Sequence, residues 1–210
     1  MNNERRIYVC GGNYEYANWL GGRVVGTMEE CNIFMLSGGS DVDPGFYGRK
    51  ANSTTYSNPN RDKRELVEFN KAKEMGKAII GICRGSQAIC AFSGGLLVQD
   101  SSHSYRHLIE TSDGRRMYAN STHHQRQLPV NIKENVEVLA WAINEDGENL
   151  SPYSWGEDLE DLSGPREVEI AYYPYKMADG SYGPGSIGIQ PHPEMIVDEE
   201  WAQKYKCMCH

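Results

Sequence analysis

One cysteine stands where an apolar run meets a helix-like stretch. Cys83 has Gly81 and Gly85 two residues to either side. A nucleophile needs this kind of sharp, strained strand-to-helix turn, because the turn projects its side chain above the sheet edge. A helix beginning near Arg84 directs its positive end at the sulfur and favours the thiolate, and the Arg84 N–H is placed to stabilise an oxyanion. A buried structural cysteine is the competing interpretation, and this motif alone does not decide between them.

A thiolate that attacks a carbonyl needs a base, and a histidine in a stiff setting can supply it. His192 follows a predicted strand and is flanked by Pro191 and Pro193, which predicts a rigid loop rather than a helix. Glu194 can accept from the second imidazole nitrogen and fix the tautomer, as the third member of a triad does. A surface histidine beside a turn is the alternative, but the pairing with Cys83 favours the triad.

A glycine-rich turn offers a second oxyanion donor. Residues 36–44 read LSGGSDVDP, so a predicted strand ends at Gly38 and Gly39. Open α/β sheets bind their ligands beyond the carboxyl ends of the strands. The Gly39 N–H is therefore a candidate donor beside that of Arg84, with an ordinary strand-to-loop turn as the alternative.

Short apolar runs predict the elements that must position these side chains. Residues 78–83 are apolar without alternation, which indicates a buried parallel strand. Other strands are predicted at 7–10, 33–36, 94–98, 116–119, 136–143, 168–173 and 186–190. Helices are predicted at 61–75, 85–92 and 198–206. Strands and helices alternate before a strand-rich second half, which predicts an α/β fold with a parallel sheet.

Length and charge exclude several classes of protein. The chain has 210 residues, which at about 150 residues per domain predicts one domain over 1–210, or two at most. A formal charge of -8 provides no overall basic surface for nucleic acid or an anionic membrane. No apolar run approaches the ~18–20 residues that span a bilayer, and none follows Arg5 and Arg6 as a secretory signal requires. We therefore expect a cytoplasmic protein.

Cysteines and histidines could also bind metals or form disulfides. The six cysteines are Cys10, Cys31, Cys83, Cys90, Cys207 and Cys209. Reduced thiols fit this chain better than disulfides, and one of them is a candidate nucleophile. The ending Cys207-Met208-Cys209-His210 looks metal-binding but lacks a second cluster at zinc spacing, because His103 and His107 are isolated. We expect incidental thiols there rather than a metal site.

Together these segments resemble the class I glutamine amidotransferase superfamily. Within it they are most similar to cysteine γ-glutamyl hydrolases of the peptidase C26 type, the branch related to γ-glutamyl-γ-aminobutyrate hydrolase. The pattern G-x-C-x-G-x-Q matches residues 81–87, and H-P-E matches residues 192–194. Motifs of the hydrolase branch match residues 38–48 (GGSDVDPGFYG), 61–65 (R-D-x-x-E), 94–100 (GG-x-L-x-Q-D) and 120–125 (N-S-x-H-H-Q). The matches follow the family's order over most of the chain.

The resemblance implies a three-layer, flavodoxin-like α/β sandwich with a mostly parallel central sheet. It implies that Cys83 attacks a γ-glutamyl carbonyl, that His192 shuttles the proton and that Glu194 orients His192. Gly39 and Arg84 would provide the oxyanion hole, and water would hydrolyse the resulting thioester without a metal or an organic cofactor. The residues implied to hold the glutamyl group are Gln87, His123, His124 and Gln125.

Three functions stay open. The first is free-standing hydrolysis of a small-molecule γ-glutamyl amide. The second is a glutaminase subunit that supplies ammonia to a separate synthase chain. Arg84 disfavours it, because ammonia-transferring members usually carry an apolar or aromatic residue there. The third is a non-catalytic binding or redox-sensing protein, which the complete set of Cys83, His192 and Glu194 disfavours. The sequence also leaves a homo-oligomer open.

Departures from the family pattern bear on the substrate. Cys90 stands where the family often has Asn, and Pro191 where it often has Trp. Residues 174–185 form an unusual insertion, whose Tyr175 and Tyr182 are candidates to pack on the leaving amine. The acidic run at 144–161 could favour a cationic amine, although two surface loops are the simpler interpretation.

Overall fold

The computed structural model describes residues 4–12, 14–101, 106–148 and 166–195. The strands are β1 (Arg6–Cys10), β2 (Arg23–Val24), β3 (Ile33–Leu36), β4 (Ala78–Ile82), β5 (Leu96–Val98), β6 (His107–Thr111), β7 (Arg116–Ala119), β8 (Arg126–Leu128), β9 (Glu137–Ile143), β10 (Val168–Tyr173) and β11 (Ser186–Ile189). The α-helices are α1 (Glu15–Leu20), α2 (Pro59–Glu74) and α3 (Arg84–Phe92). Short 3₁₀ helices occupy Pro44–Tyr47 and Pro193–Met195. No helix in this part of the chain is long and apolar enough to cross a membrane.

Nine strands form the central sheet, in the order β2-β1-β3-β4-β11-β10-β9-β6-β7. Its first five strands are mutually parallel, and antiparallel pairs add the other four. Strand β10 and strand β6 therefore run against the direction of the other seven. Helical crossovers produce the parallel half, since parallel neighbours cannot be joined by a tight turn. The predicted mixed α/β fold with a mostly parallel central sheet is confirmed.

Alternate residues of each strand face different helical layers, because side chains alternate across a sheet. In β3, Phe34 and Leu36 pack in the core beneath α2 and α3. Ile33 and Met35 pack on the opposite face, in the core shared with α1. The small β5-β8 sheet lies on the α3 side, where Leu97 joins the first core. The result is the three-layer arrangement that the family resemblance implies.

Several predicted elements have different bounds or partners in the structure. Helix α2 begins two residues before its predicted start at residue 61. Pro59 fits the first turn of a helix, and the Asn58 side chain caps it by accepting from Arg61 N–H. The strand predicted at 94–98 is β5, which pairs with β8 outside the central sheet. The sequence analysis did not predict α1, β2, β6 or β8. The helix predicted at 198–206 and the Cys207–Cys209 tail lie outside the described residues, and the single-domain assignment stays a prediction.

The 174–185 insertion lies at the end of the sheet away from Cys83. It precedes β11, whereas Cys83 N–H donates to Ile189 O at the far end of that strand, 2.8 Å away. Tyr175 is buried, and its hydroxyl donates to Lys77 O at 2.6 Å. Lys77 directly precedes β4, so this contact lies at the start of that strand. Five residues of strand separate the two ends by about 17 Å. The suggestion that Tyr175 and Tyr182 pack on the leaving amine is therefore wrong.

Candidate active site

Cys83 occupies a strained turn between β4 and α3. Its backbone has φ 54° and ψ −113°, in a region that non-glycine residues rarely adopt and that costs of order 1–3 kcal/mol. Neighbouring backbone passes very close: a Cβ on Gly81 would lie 2.3 Å from Gly85 O, and one on Gly85 would lie 2.2 Å from Leu36 O. Glycine is therefore required at both positions, and the predicted elbow geometry is confirmed.

His192 lies beside the Cys83 sulfur and is held from its other side by Glu194. The His192 Nδ1 is 2.6 Å from Glu194 Oε1, and the ring also hydrogen-bonds the Cys83 side chain. Burial of the ring opposes its charged form, but the hydrogen bonds to Cys83 and Glu194 outweigh burial and raise the pKa of His192 to about 10. The contacts with Cys83 and Glu194 therefore favour the protonated imidazolium of His192 near neutral pH.

Asn120 fixes the loop that carries His192. The His192 N–H donates to Asn120 Oδ1, and Asn120 Nδ2 donates to His192 O, both at 2.8 Å. Two hydrogen bonds from one amide hold the backbone of the loop, so the ring direction depends on a residue 72 positions away. Asn120 begins the N-S-x-H-H-Q motif, but the sequence analysis assigned it no role.

The glycine turn after β3 faces Cys83 and leaves one amide free. A Cβ on Gly38 would lie 3.7 Å from Cys83 Cβ and 2.7 Å from the Tyr16 hydroxyl. That hydroxyl hydrogen-bonds the Gly38 backbone, whereas the Gly39 N–H has no hydrogen-bond partner among the described residues. The Arg84 N–H is the first of α3, where helical N–H groups lack an intrahelical acceptor. Both amides therefore lack an acceptor within the described residues, at the positions where the sequence analysis predicted oxyanion donors, and their role stays a prediction.

Tyr16 is a site residue that sequence reasoning missed. It is buried, and its ring centroid is 6.4 Å from that of His192. Burial, aided by the nearby Glu194 carboxylate, raises the pKa of Tyr16 to about 12, so the hydroxyl stays protonated. Tyr16, Trp19 and Leu20 are spaced as on one helix face, and Gly21 ends α1 in the left-handed region at φ 70°. That spacing was the available signal for the helix.

The Arg84 side chain lies in a buried ionic network with residues of α2. Its guanidinium pairs with Asp62 and Glu65 of α2, and all three side chains are essentially inaccessible to solvent. Glu65 also accepts from Arg61 Nε at 2.7 Å, and Arg61 Nη2 donates to Ser37 O and Gly38 O, each at 3.1 Å. The R-D-x-x-E motif thus connects the elbow to the glycine turn. Neither the network nor the role of Arg61 was predicted.

A cavity of about 240 Å³ opens beside Cys83 and collects the predicted substrate residues. Its walls include Gly39, Arg84, Gln87, His123, His124 and Gln125. Gln87 Nε2 donates to Gln125 O at 2.8 Å. The side-chain oxygens of Gln87 and Gln125 are buried and have no hydrogen-bond partner within the described ranges. Burial lowers the pKa of His123 to about 3, so this wall of the cavity carries a neutral imidazole.

The mouth of the cavity is acidic. His124 is partly exposed and lies between two carboxylates, with its Nε2 3.2 Å from Asp41 Oδ1 and its Nδ1 3.6 Å from Asp100 Oδ1. Asp41 also accepts from Tyr56 N–H at 2.8 Å, and the Tyr56 side chain is exposed at the rim. The sequence analysis suggested that the acidic run at 144–161 could favour a cationic amine, but the structure describes this run only to residue 148.

A family model for peptidase C26 matches residues 22–150. The chain belongs to the peptidase C26 family. A glutamine amidotransferase-like protein of Lactococcus lactis subsp. lactis, YvdE, is 41% identical over 71 residues, which are 33% of this chain and 30% of that protein. A glutamine amidotransferase of Schizosaccharomyces pombe is 28% identical over 171 residues, covering 79% of this chain and 63% of that protein. Alignments to the first three bacterial relatives span 24–37% of their lengths.

Solved structures place this peptidase C26 member in the class I glutamine amidotransferase fold. A GMP synthase component from Thermoplasma acidophilum matches with a TM-score of 0.60 and 14% identity, over 100% of this chain and 96% of that one. A glutamine amidotransferase of Thermotoga maritima matches with a TM-score of 0.56 and 14% identity, over 99% and 84%. At these identities the likeness concerns the fold. The family match is what points to cysteine-dependent amide hydrolysis.

Proposed function

We propose that this protein hydrolyses a γ-glutamyl amide of a small molecule through a γ-glutamyl thioester on Cys83. The observation that carries the proposal is the position of the thiol, which lies on a strained elbow against His192. Glu194 holds the other side of that ring, and Gly39 and Arg84 line the same cavity as Cys83. One carbonyl group could contact all of these groups at once.

The reaction begins when the Cys83 thiolate attacks the γ-carbonyl carbon. A C–S bond forms, and the carbonyl π electrons move to oxygen, where the Gly39 and Arg84 N–H groups stabilise the negative charge. The His192 imidazolium then protonates the amide nitrogen, and the C–N bond breaks to release the amine. Water loses a proton to His192 as it attacks the thioester, and the C–S bond breaks to give glutamate and the free thiolate. Glu194 holds the ring in one tautomer throughout.

Unpaired acceptors in the cavity support recognition of a glutamyl α-ammonium group. Gln87, Gln125 and Asp41 line the cavity, and the buried side-chain oxygens of the two glutamines have no donor in the described structure. Leaving a buried acceptor unpaired costs about 1–3 kcal/mol, so a ligand with several N–H donors would bind well here.

The acidic mouth supports an extended, cationic leaving group. Ammonia, which glutamine would release, offers no remote contacts. A larger amine can use binding energy at Tyr56, Asp41 and Asp100 to position its carbonyl against Cys83. These residues replace the insertion at 174–185 as the proposed contacts of the leaving amine, because the insertion lies at the opposite end of the sheet from Cys83.

Steady-state kinetics on γ-glutamyl-putrescine, γ-glutamyl-γ-aminobutyrate and glutamine test the proposal, with Cys83→Ala as the inactive control. We expect the highest kcat/KM for γ-glutamyl-putrescine. Asp100→Asn should lower that value several-fold while changing the value for glutamine little. Glu110→Gln, a carboxylate change on β6 away from the cavity, is the matched control. No turnover of any γ-glutamyl amide by wild type would contradict the proposal and favour a non-catalytic protein.

A glutaminase component of a synthase is the second candidate. The observation in its favour is the likeness to the GMP synthase component of Thermoplasma acidophilum, which covers 100% of this chain. Under that function, glutamine would give the highest kcat/KM, or ammonia release would appear only with a partner chain. The same kinetic series therefore separates the two candidates.

A further inference from the structure

A cluster of buried titratable side chains lies outside the proposed catalytic machinery. His107 begins β6, Glu169 lies in β10, and Glu167 immediately precedes that strand. One ligand-type atom from each of the three lies within 4.8 Å of the others. The residues are only 8%, 0% and 2% exposed, respectively. His107 Nε2 lies 3.0 Å from Glu169 Oε1.

His123 lies near this cluster on the side of the cavity. It is close enough to interact electrostatically with Glu169 and His107. Its Nδ1 lies 3.1 Å from Gln125 O, and a carbonyl oxygen can only accept, so Nδ1 carries the proton. The lone pair is therefore on Nε2, which is buried and has no hydrogen-bond partner in the described ranges. Burial lowers the pKa of His123 to about 3, so this ring adds no positive charge to the surroundings of the cluster.

The positive groups near the cluster do not fully balance the negative charge of the Glu169 carboxylate. Arg126 forms an ion pair with Glu167, and both side chains are buried. Glu169 is fully buried, and its Oε2 has no hydrogen-bond partner among the described residues. Buried carboxylates are normally paired, hydrogen-bonded or bound to a metal. Apart from the Nε2 of His107, the groups facing Glu169 are a neutral imidazole with its lone pair and a guanidinium already paired with Glu167.

We propose that His107, Glu167 and Glu169 bind one Zn²⁺ ion, with water as the fourth ligand. One imidazole and two carboxylates are ligands of the kind that zinc takes in sites with three protein ligands and a water, whereas Mg²⁺ and Ca²⁺ prefer oxygen ligands alone. Tetrahedral zinc with bonds of about 2.1 Å places its ligand atoms about 3.4 Å apart, so ligand atoms now up to 4.8 Å apart must approach each other by up to about 1.4 Å. His107 gives up its Nε2 proton on binding, and this proton is released to solvent.

The ion would join β6 to β10 rather than take part in the reaction, because its three protein ligands lie in or directly beside these strands. His123, which lines the cavity, is close enough to the cluster to interact electrostatically with its residues. This inference does not depend on the proposed hydrolysis, since binding can be measured without substrate.

The test measures zinc binding to the full chain with Cys207→Ser and Cys209→Ser, so that tail thiols do not bind the metal. The protein is dialysed against buffered Zn²⁺, and bound metal is measured by mass spectrometry of the elements. We expect about one Zn²⁺ per chain, and at least a 10–100-fold loss of affinity in Glu169→Gln. Glu137→Gln is the matched control, because Glu137 is exposed on the neighbouring strand β9 and lies outside the cluster.

Two further measurements keep the test decisive if Glu169→Gln does not fold. Zn²⁺ at about 100 times its Kd should raise the Tm of the parent protein by about 5–10 °C. Bound Co²⁺ should show the visible bands of a tetrahedral nitrogen and oxygen site without a thiolate charge-transfer band. Absence of bound zinc, unchanged affinity in a folded Glu169→Gln, or a thiolate band would overturn the proposal. A His107–Glu169 ion pair would then account for the cluster.

Discussion

Cys83 and Cys90 lie on the same strand-to-helix unit, seven residues apart, yet their surroundings are opposite. Cys83 precedes α3 at a positive φ, borders the cavity and hydrogen-bonds His192. Cys90 is fully buried within α3, its thiol donates to Leu96 O at 3.3 Å, and burial raises its pKa to about 12. Cys90 is thus packed as an apolar side chain, whereas Cys83 lies against the imidazole of His192.

The contrast shows that position on the helix decides thiol chemistry. Cys83 receives the first N–H groups of α3 and the imidazolium of His192, both of which stabilise negative charge. Cys90 lies two turns further along, where neighbouring apolar side chains stabilise only the neutral thiol. Each prediction below tests one side of this contrast.

The largest effect is expected from removing the thiols one at a time. Cys83→Ala should lower kcat on the best γ-glutamyl amide by about 10⁵–10⁶-fold, because no covalent intermediate can form. Cys90→Ala removes only a buried side chain and should keep kcat within a few-fold. Steady-state kinetics on both variants checks this, and equal losses would remove the distinction between the two cysteines.

His192→Ala should lower kcat by about 10⁴-fold or more, since the leaving amine then lacks its proton donor. Members of a triad act as a unit, so Cys83→Ala with His192→Ala should be scarcely worse than Cys83→Ala alone. Glu194→Gln should cost less, because orienting the ring is a supporting role. Double-mutant kinetics measures the coupling, and losses that multiply would show that the two residues act independently.

Glu65→Gln should destabilise the turn that carries Cys83, because Glu65 pairs with Arg84 at the start of α3. It removes the carboxylate between Arg84 and Arg61 and leaves buried positive charge, which should lower the free energy of unfolding by about 3–5 kcal/mol. Urea unfolding measures the change. Glu74→Gln, an exposed position at the end of the same helix, is the control and should shift stability by less than about 0.5 kcal/mol. A similar small shift for Glu65→Gln would mean that the network contributes little.

The raised pKa of His192 predicts a defined pH dependence of stability. The pKa rises from about 6.5 in the unfolded chain to about 10 in the folded protein, so the folded state favours the protonated ring. This contribution should be complete below pH ~6.5, decline between pH ~6.5 and ~10, and vanish above that. The unfolding free energy of wild type minus that of His192→Gln, measured at pH 6, 8 and 10, should fall with pH. A difference that grows with pH would contradict the assigned pairing.

The sequence was most informative where the chemistry lies within a few residues. The elbow and the H-P-E segment could be predicted because glycines, prolines and apolar runs directly adjoin Cys83 and His192. Strands such as 33–36 and 168–173 could be placed because their apolar runs end at turn-forming residues. These signals depend on local backbone geometry, which neighbouring residues determine.

The rest could not be predicted because it depends on contacts between distant segments. Asn120 reaches His192 across 72 positions, and Arg61 reaches the Gly38 carbonyl across 23. Nothing near either residue in the sequence indicates its partner. The insertion at 174–185 was placed at the wrong end of the sheet because its position depends on how β11 pairs with β4. His107 looked isolated for the same reason, since Glu169 reaches it from another strand.

Alkylation of the two cysteines as a function of pH tests the central claim most directly. Full-length wild type and His192→Ala are treated with iodoacetamide, and each modified cysteine is identified by peptide mass spectrometry. We predict that Cys83 reacts at least about 100-fold faster than Cys90 near pH 7, and that His192→Ala removes most of this advantage by destabilising the thiolate. Equal rates for Cys83 and Cys90 in the folded protein would contradict the account.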